Sequence, residues 1–181
     1  PNDTEVFYLT QMNGDQYWDN NQNSWFQIYF NTAGQSVVGT FSVTNRGRQL
    51  NMTNSYSYPY PVTGHLFNKE TVFLTAAGTR LTGSSSKTYI DLFSEGNEVY
   101  GIKRSGLMWP GQFDYEIIKL PLKGITSKIT SMTYNRDDLF TTSNYQHLVI
   151  GCENGDILVY DADELQNPTL KKKLNVGGKV V

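Results

Sequence analysis

The sequence is poor in most of the features that would name a chemistry directly. It contains one cysteine, Cys152, in 181 residues. That excludes an internal disulfide framework and a cysteine-based zinc site, while leaving the compartment open, because large secreted domains often lack cystines. No stretch approaches the ~18 consecutive apolar residues that cross a bilayer as a helix. Charged residues make up only 18% and the formal net charge is −2, so no overall field draws the chain to nucleic acid or anionic lipid. There are two histidines, His65 and His147. The local signatures GxSxG, GxxxxGKS/T, HExxH and GxGxxG are all missing, and any active site would have to be assembled in space. No amphipathic pattern longer than about ten residues emerges, which argues against an all-helical fold.

Against these shortages stands an abundance of rings and turn formers. The 24 aromatic residues, 12 of them Tyr, are 13% of the chain, far more than a disordered chain of this polarity carries. Counting Gly and leaving Tyr out, the apolar share is about 40%, below the usual 45–50%. The core is therefore lean but sufficient, and the length allows a single domain, residues 1–181, that needs no staples. Thr, Asn, Ser and Gly are frequent throughout, which favours strands and turns over helices.

Read along the chain, strand-like runs alternate with turn chemistry. Val6 to Leu9, the surroundings of Trp18, and Trp25 to Phe30 read as strand, turn, strand, loop, strand, with the first turn at Asn13-Gly14-Asp15. Thr32-Ala33-Gly34-Gln35 then marks a hairpin into Ser36 to Val43, and Asn45-Arg46-Gly47 a further turn. The segment Ser55 to Pro61 alternates Tyr with Ser or Pro, and its two prolines confine it to a surface loop or an edge strand. Further runs fall at Val72 to Ala76, Thr88 to Phe93, Val99 to Lys103 and Tyr115 to Leu120. The only helical candidate is a turn or two at Asp161 to Gln166, capped by Asp163 and stopped by Pro168.

The C-terminal third is the most regular part and divides into four strands. Leu148 to Cys152 is an unbroken apolar run, as for an inner strand. In Asp156 to Asp161, Ile157 and Val159 alternate with Leu158 and Tyr160, so each pair occupies one face. Asn154-Gly155 between the two runs predicts a type I′ hairpin, with both residues at positive φ. Gly177-Gly178 then reads as a turn into a new apolar strand at Val180-Val181.

This segment, Gly124 to Val181, resembles one blade of a β-propeller of the WD or quinoprotein-like kind. Tyr160-Asp161 stands where a WD repeat has its Trp-Asp pair, and Gly124-Ile125 stands where it has Gly-His, so the histidine network of WD repeats is not implied. An echo of the central hairpin at Asn13-Gly14-Asp15 lies 141 residues earlier, three periods of 47, and Glu95-Gly96-Asn97 gives another 59 residues earlier. The resemblance implies an all-β fold of β-propeller-like blades, each of four antiparallel strands, clearest at residues 124–181, in a partial or small propeller, with residues 1–181 an excised or processed part of a larger one; a β-sandwich is the alternative. Asn154 to Asp161 and Val176 to Val181 also make the chain similar to the C-terminal propeller part of PKD-like surface lipoproteins of Bacteroidetes. That likeness implies an extracytoplasmic or periplasmic place in outer-membrane nutrient uptake, with any lipid anchor upstream of Pro1.

For function, the loop aromatics carry most weight. Trp18, Trp25, Tyr56, Tyr58, Tyr60 and Trp109 sit beside Asn-, Ser-, Pro- and Gly-rich stretches, and flat rings flanked by amide donors suit sugar rings or extended peptides. The expected activity is non-catalytic binding of a glycan or peptide, without a cofactor, a resident metal or nucleic acid. A scaffold holding a protein partner in an outer-membrane complex is the first alternative. A glycosidase-like enzyme with a carboxylate pair is the second. The acids Asp137-Asp138 and Asp161, Asp163 and Glu164 read as solvated turns more readily than as a calcium site. Lys171-Lys172-Lys173 reads as protection of an exposed sheet edge. Asn2-Asp3-Thr4 and Asn51-Met52-Thr53 match the glycosylation pattern, which matters only in a eukaryotic secretory route.

Overall fold

The computed structural model describes residues 4–12, 23–46, 49–54, 60–80, 87–105, 114–135 and 146–181. These form strands and no helix. The chain divides into two compact units, one of Pro1–Lys69 with Arg104–Glu116 and the other of Glu70–Lys103 with Ile117–Val181.

The strands fall into three antiparallel sheets, each a meander in chain order. The first comprises β1 (Glu5–Met12), β2 (Asn23–Thr32), β3 (Gln35–Arg46) and β4 (Gln49–Asn54), with β5 (Tyr60–Pro61) also paired to β3. Because β4 meets β3 at Ser42 and beyond while β5 meets it at Val37 and Val38, the two together make one interrupted outer strand. The prolines explain its place: Pro61 lacks a ladder donor and is tolerated at an edge. The second sheet is β6 (Phe73–Arg80), β7 (Lys87–Glu95), β8 (Glu98–Ser105) and β9 (Asp114–Lys119). The third is β10 (Ile129–Asn135), β11 (His147–Cys152), β12 (Asp156–Asp161) and β13 (Thr169–Asn175).

Alternation decides which faces are buried. Along β12, Asp156, Leu158 and Tyr160 are buried while Ile157, Val159 and Asp161 are half-buried, as the period of two requires. In the second unit, Leu148, Ile150, Leu158 and Tyr160 of the third sheet share one core with Ala76, Ile90 and Leu92 of the second. The first strands of these two sheets, β6 and β10, lie against each other. In the first unit Tyr29, Val38, Val62 and Phe67 are buried, with Tyr29 and Phe67 edge to face at 6.2 Å, a geometry rings favour. The Lys-rich strand β13 is exposed throughout and ends its sheet, the placement expected for edge protection.

Each central hairpin, between the second and third strands of its sheet, closes on a left-handed glycine. Gly34, Gly96 and Gly155 have φ of 74°, 62° and 88°. The central turns thus recur about 60 residues apart, a longer spacing than the expected period of 47. The Asn13-Gly14 echo fails for a topological reason: β1 is the first strand of its sheet and pairs with β2, whereas β11 is the second strand of its own. The expected strand around Trp18 lies outside the described residues.

Turn chemistry departs from expectation at 153–155. Asn154 is not left-handed; among the described non-glycine residues only Ala33 is, with φ 50°. The connection is three residues long, closed by the Gly155 N–H on the Cys152 carbonyl at 3.2 Å, the pattern of a turn followed by a glycine bulge. Asn154 is held instead as an Asx turn, its Oδ1 accepting from the Asp156 N–H at 3.1 Å. The type I′ signature, two successive positive φ values, occurs at Ala33-Gly34.

Two further expectations are corrected. Residues 161–166 form no helix: the Asp163 N–H donates to Asp161 Oδ1 at 3.4 Å and the Asn167 N–H to the Glu164 carbonyl at 3.0 Å. A stretch this short cannot offset the cost of helix nucleation, and its Asp side chains compete for the backbone donors. Residues 176–181 form no strand either; they fold back over the β11–β12 turn.

That fold-back repeats a device seen in every sheet, because the chain leaves each one across its own central turn. In the first sheet the Val62 N–H donates to the Ser36 carbonyl at 2.8 Å. In the second, the N–H groups of Leu120 and Ile129 donate to the carbonyls of Val99 and Gly96, both at 2.9 Å. In the third, those of Val176 and Val180 donate to the carbonyls of Gly155 and Cys152 at 3.0 and 3.2 Å.

Candidate functional site

Antiparallel meanders sort their connections by end. In the first sheet Met12 pairs with Trp25 and Arg46 with Gln49, so residues 13–22 and 47–48 leave from the end opposite Ala33-Gly34. In the second sheet Arg80 pairs with Lys87, and residues 81–86 and 106–113 join their strands at the end opposite Gly96-Asn97. In the third, residues 136–145 and 162–168 do the same opposite residues 153–155. The turns at 33–34, 96–97 and 153–155 thus hold one end of each sheet; at the other end the second and third sheets carry only connections of six residues or more, and the first carries the long connection 13–22 beside the two-residue link 47–48. Loops on a rigid scaffold are where binding chemistry concentrates.

The six expected ligand-binding aromatics divide between two places. Trp18 and Trp109 belong by sequence to the long connections 13–22 and 106–113 and lie outside the described residues. Trp25 is at the long-connection end of β2, its backbone paired with Met12 and Ser42; its side chain is not among those described. Tyr56 and Tyr58 also lie outside the described residues, in the interruption of the outer strand between β4 and β5. Tyr60 on β5 is half-buried, with its ring 5.2 Å from that of Tyr115. The Tyr115 hydroxyl shares a 2.6 Å hydrogen bond with Thr40 Oγ1. Tyr60 therefore serves at least as packing for a buried tyrosine.

Polar side chains in the described residues are largely engaged in holding turns. In the first sheet the Ser36 hydroxyl accepts from the Phe67 N–H at 2.8 Å and donates to Asn31 Oδ1 at 2.7 Å. The Asn31 amide returns to the Phe67 carbonyl at 2.8 Å. In the third sheet Asp156 accepts from Asn175 at 2.9 Å, Asn154 at 2.8 Å and Lys173 at 3.0 Å. These partners hold its carboxyl well below the usual range, at about 2, since hydrogen bonds to the charged form favour it. The Tyr160 hydroxyl donates to the Lys123 carbonyl at 2.5 Å, and burial pushes its pKa up to about 12. At the opposite end Tyr134 bridges Gln146 Oε1 and the Ala162 carbonyl. Burial also raises the pKa of the Cys152 thiol, which keeps it protonated and a poor nucleophile.

Asp91 and Asp156 are the buried acids among the described residues. Thr75 donates to Asp91 Oδ1 at 2.7 Å. Asp137 and Asp138 lie outside the described residues, and Asp161 accepts the turn bond from Asp163 given above. No group of three or more His, Cys, Asp or Glu capable of holding a metal occurs among the described residues. No helix among them is long and apolar enough to cross a membrane.

Sequence reading missed Ser36, Asn31 and Asn175, each of which ties a turn to a passing segment. The one available signal was that each is a short polar residue next to a turn glycine or a strand end. No protein-family description, no curated protein and no solved structure matches the chain.

Proposed function

We propose that this chain is a non-catalytic binding domain of propeller-type blades that presents aromatic residues of its long connections to a glycan or extended peptide. Its proposed setting is the cell surface or periplasm, in the outer-membrane uptake role of the lipoproteins it resembles. The observation that carries the reading is the sorting of connections: within each sheet the long ones share an end, and Trp18, Trp25 and Trp109 belong to those ends. Rings on a scaffold of paired strands lose little entropy when a sugar or peptide stacks on them. The blade assignment is supported by four-strand order in chain sequence, by the shared exit over each central turn, and by the contact of first strands β6 and β10.

The test is binding to a glycan array and a peptide library by the native chain and by Trp18→Ala, Trp109→Ala and Tyr58→Ala. The expected result is a ligand whose affinity falls at least tenfold in one or both tryptophan variants. Undiminished binding in all three removes the site.

A further inference from the structure

The segment Val176–Val181 lies in a groove built for backbone. Two glycines form its floor. A Cβ on Gly155 would stand 2.9 Å from both the N and the O of Gly178, and one on Gly151 would stand 2.3 Å from Ser131 Oγ on the neighbouring strand, 2.5 Å from Val180 Cγ1 and 2.9 Å from Val180 Cβ. Any side chain at either position would fill the space that the segment occupies. Main-chain bonds hold it along its length: Val176 N–H to the Gly155 carbonyl at 3.0 Å and Val180 N–H to the Cys152 carbonyl at 3.2 Å. The Thr130 hydroxyl donates to the Val180 carbonyl, and Asn175 Oδ1 accepts from the Gly177 N–H at 2.8 Å.

Little apolar area accompanies these bonds. Val176 is 60% exposed, and only Val180 is half-buried, over Gly151. A segment fastened by a few backbone bonds and one side chain opens at low cost compared with the sheet beneath it. The groove it leaves offers the carbonyls of Gly155 and Cys152, the Thr130 hydroxyl and a shallow floor, the elements by which an extended peptide is recognised through its main chain.

We propose that this groove is a binding site for an extended peptide of the pattern Val-Gly-x-x-Val, filled in the resting chain by residues 176–181 and opened to a partner peptide by their release. Selectivity follows from the path of the backbone and from the floor. The close approach restricts Gly155 itself, whereas a Cβ on Gly178 would meet nothing within 4 Å; the glycine that the path requires is Gly177, at φ 76°, and the residue over Gly151 is a compact β-branched one. The site is separate from the aromatic connections, and its failure leaves the binding reading above untouched.

The experiment uses the full chain and a fluorescein-labelled VGGKVV peptide followed by polarisation. Val180→Asp places a carboxylate over Gly151 and frees the segment; Val180→Ser is the milder companion. Hydrogen exchange at the Val176 amide and at that of residue 180 reports release. The expected result is saturable peptide binding by the released variants, at least tenfold tighter than by the native chain, and its loss when Gly155→Ala is added. A control peptide, VGGKDV, is expected not to bind. Released amides without peptide binding overturn the proposal. Amides that stay protected in both variants, or variants that fail to fold, overturn it too, since the segment is then a permanent part of the sheet.

Discussion

The Asn175 side-chain amide donates both to Asp156 Oδ1, at 2.9 Å, and to the Asn154 carbonyl, at 3.1 Å. One residue at the end of β13 thus fastens the β11–β12 turn from outside, and Asp156 accepts from three neighbours at once. Its folded pKa, about 2, lies below the ordinary carboxylate value of 3.8. A depressed carboxyl pKa stabilises the fold above the unfolded value, and that contribution is lost as pH falls through the folded one. Urea unfolding at pH 6 and pH 2.5 is expected to show Asp156→Asn losing less stability on acidification than the native chain. An equal loss in both removes Asp156 from the acid response.

Gly155 is constrained twice, by φ of 88° and by the backbone of Gly178. Gly155→Ala is expected to cost about 2 kcal/mol or more, from left-handed strain and from displacement of the passing segment. Gly34, also left-handed at 74° but with nothing within reach of its Cβ, gives the comparison. Gly34→Ala is expected to cost about 1 kcal/mol, from strain alone. Chemical denaturation of the two variants separates backbone strain from collision.

Ala33 holds the first position of the Ala33-Gly34 turn at φ 50°, a conformation that asparagine adopts more readily than alanine. The site is exposed, so a larger polar side chain has room. Ala33→Asn is expected to stabilise the chain by about 0.5 kcal/mol, read as a rise in the urea midpoint. A fall would show that the turn backbone differs from that described.

Alkaline pH is expected to weaken the fold through two tyrosines. Tyr100 donates to Glu98 at 2.7 Å, which together with burial raises its pKa to about 12; Tyr160 reaches about 12 through burial. A raised folded pKa means that their contribution is complete below the ordinary tyrosine value of 10 and disappears as pH climbs toward 12. Ultraviolet titration of the phenolates is expected to show at least two late-ionising tyrosines, with one fewer in Tyr160→Phe. Ionisation of all tyrosines near pH 10 in the folded chain contradicts both assignments.

Much of the secondary structure was legible because strand burial follows a local period. Leu158 and Tyr160 alternate with Ile157 and Val159, and the hairpins at Ala33-Gly34 and Gly96-Asn97 stand out because short turns have few allowed residues. The site was less legible. The tryptophans could be placed on connections, but which connections share an end depends on strand pairing, which has no local signal.

Residue type and spacing determined that this chain is all-β, that Lys171 to Lys173 protect an edge, and that a hairpin turns near residue 155, all from interactions within a few residues. Only tertiary structure decided that β1 pairs with β2, that the central turns recur about 60 residues apart, and that residues 176–181 lie over Gly151 and Gly155 instead of forming a strand. Those outcomes depend on backbone groups meeting across long stretches of chain. A carbonyl such as that of Cys152 is chemically the same as every other carbonyl, so nothing in the residue names marks it as the acceptor for Val180.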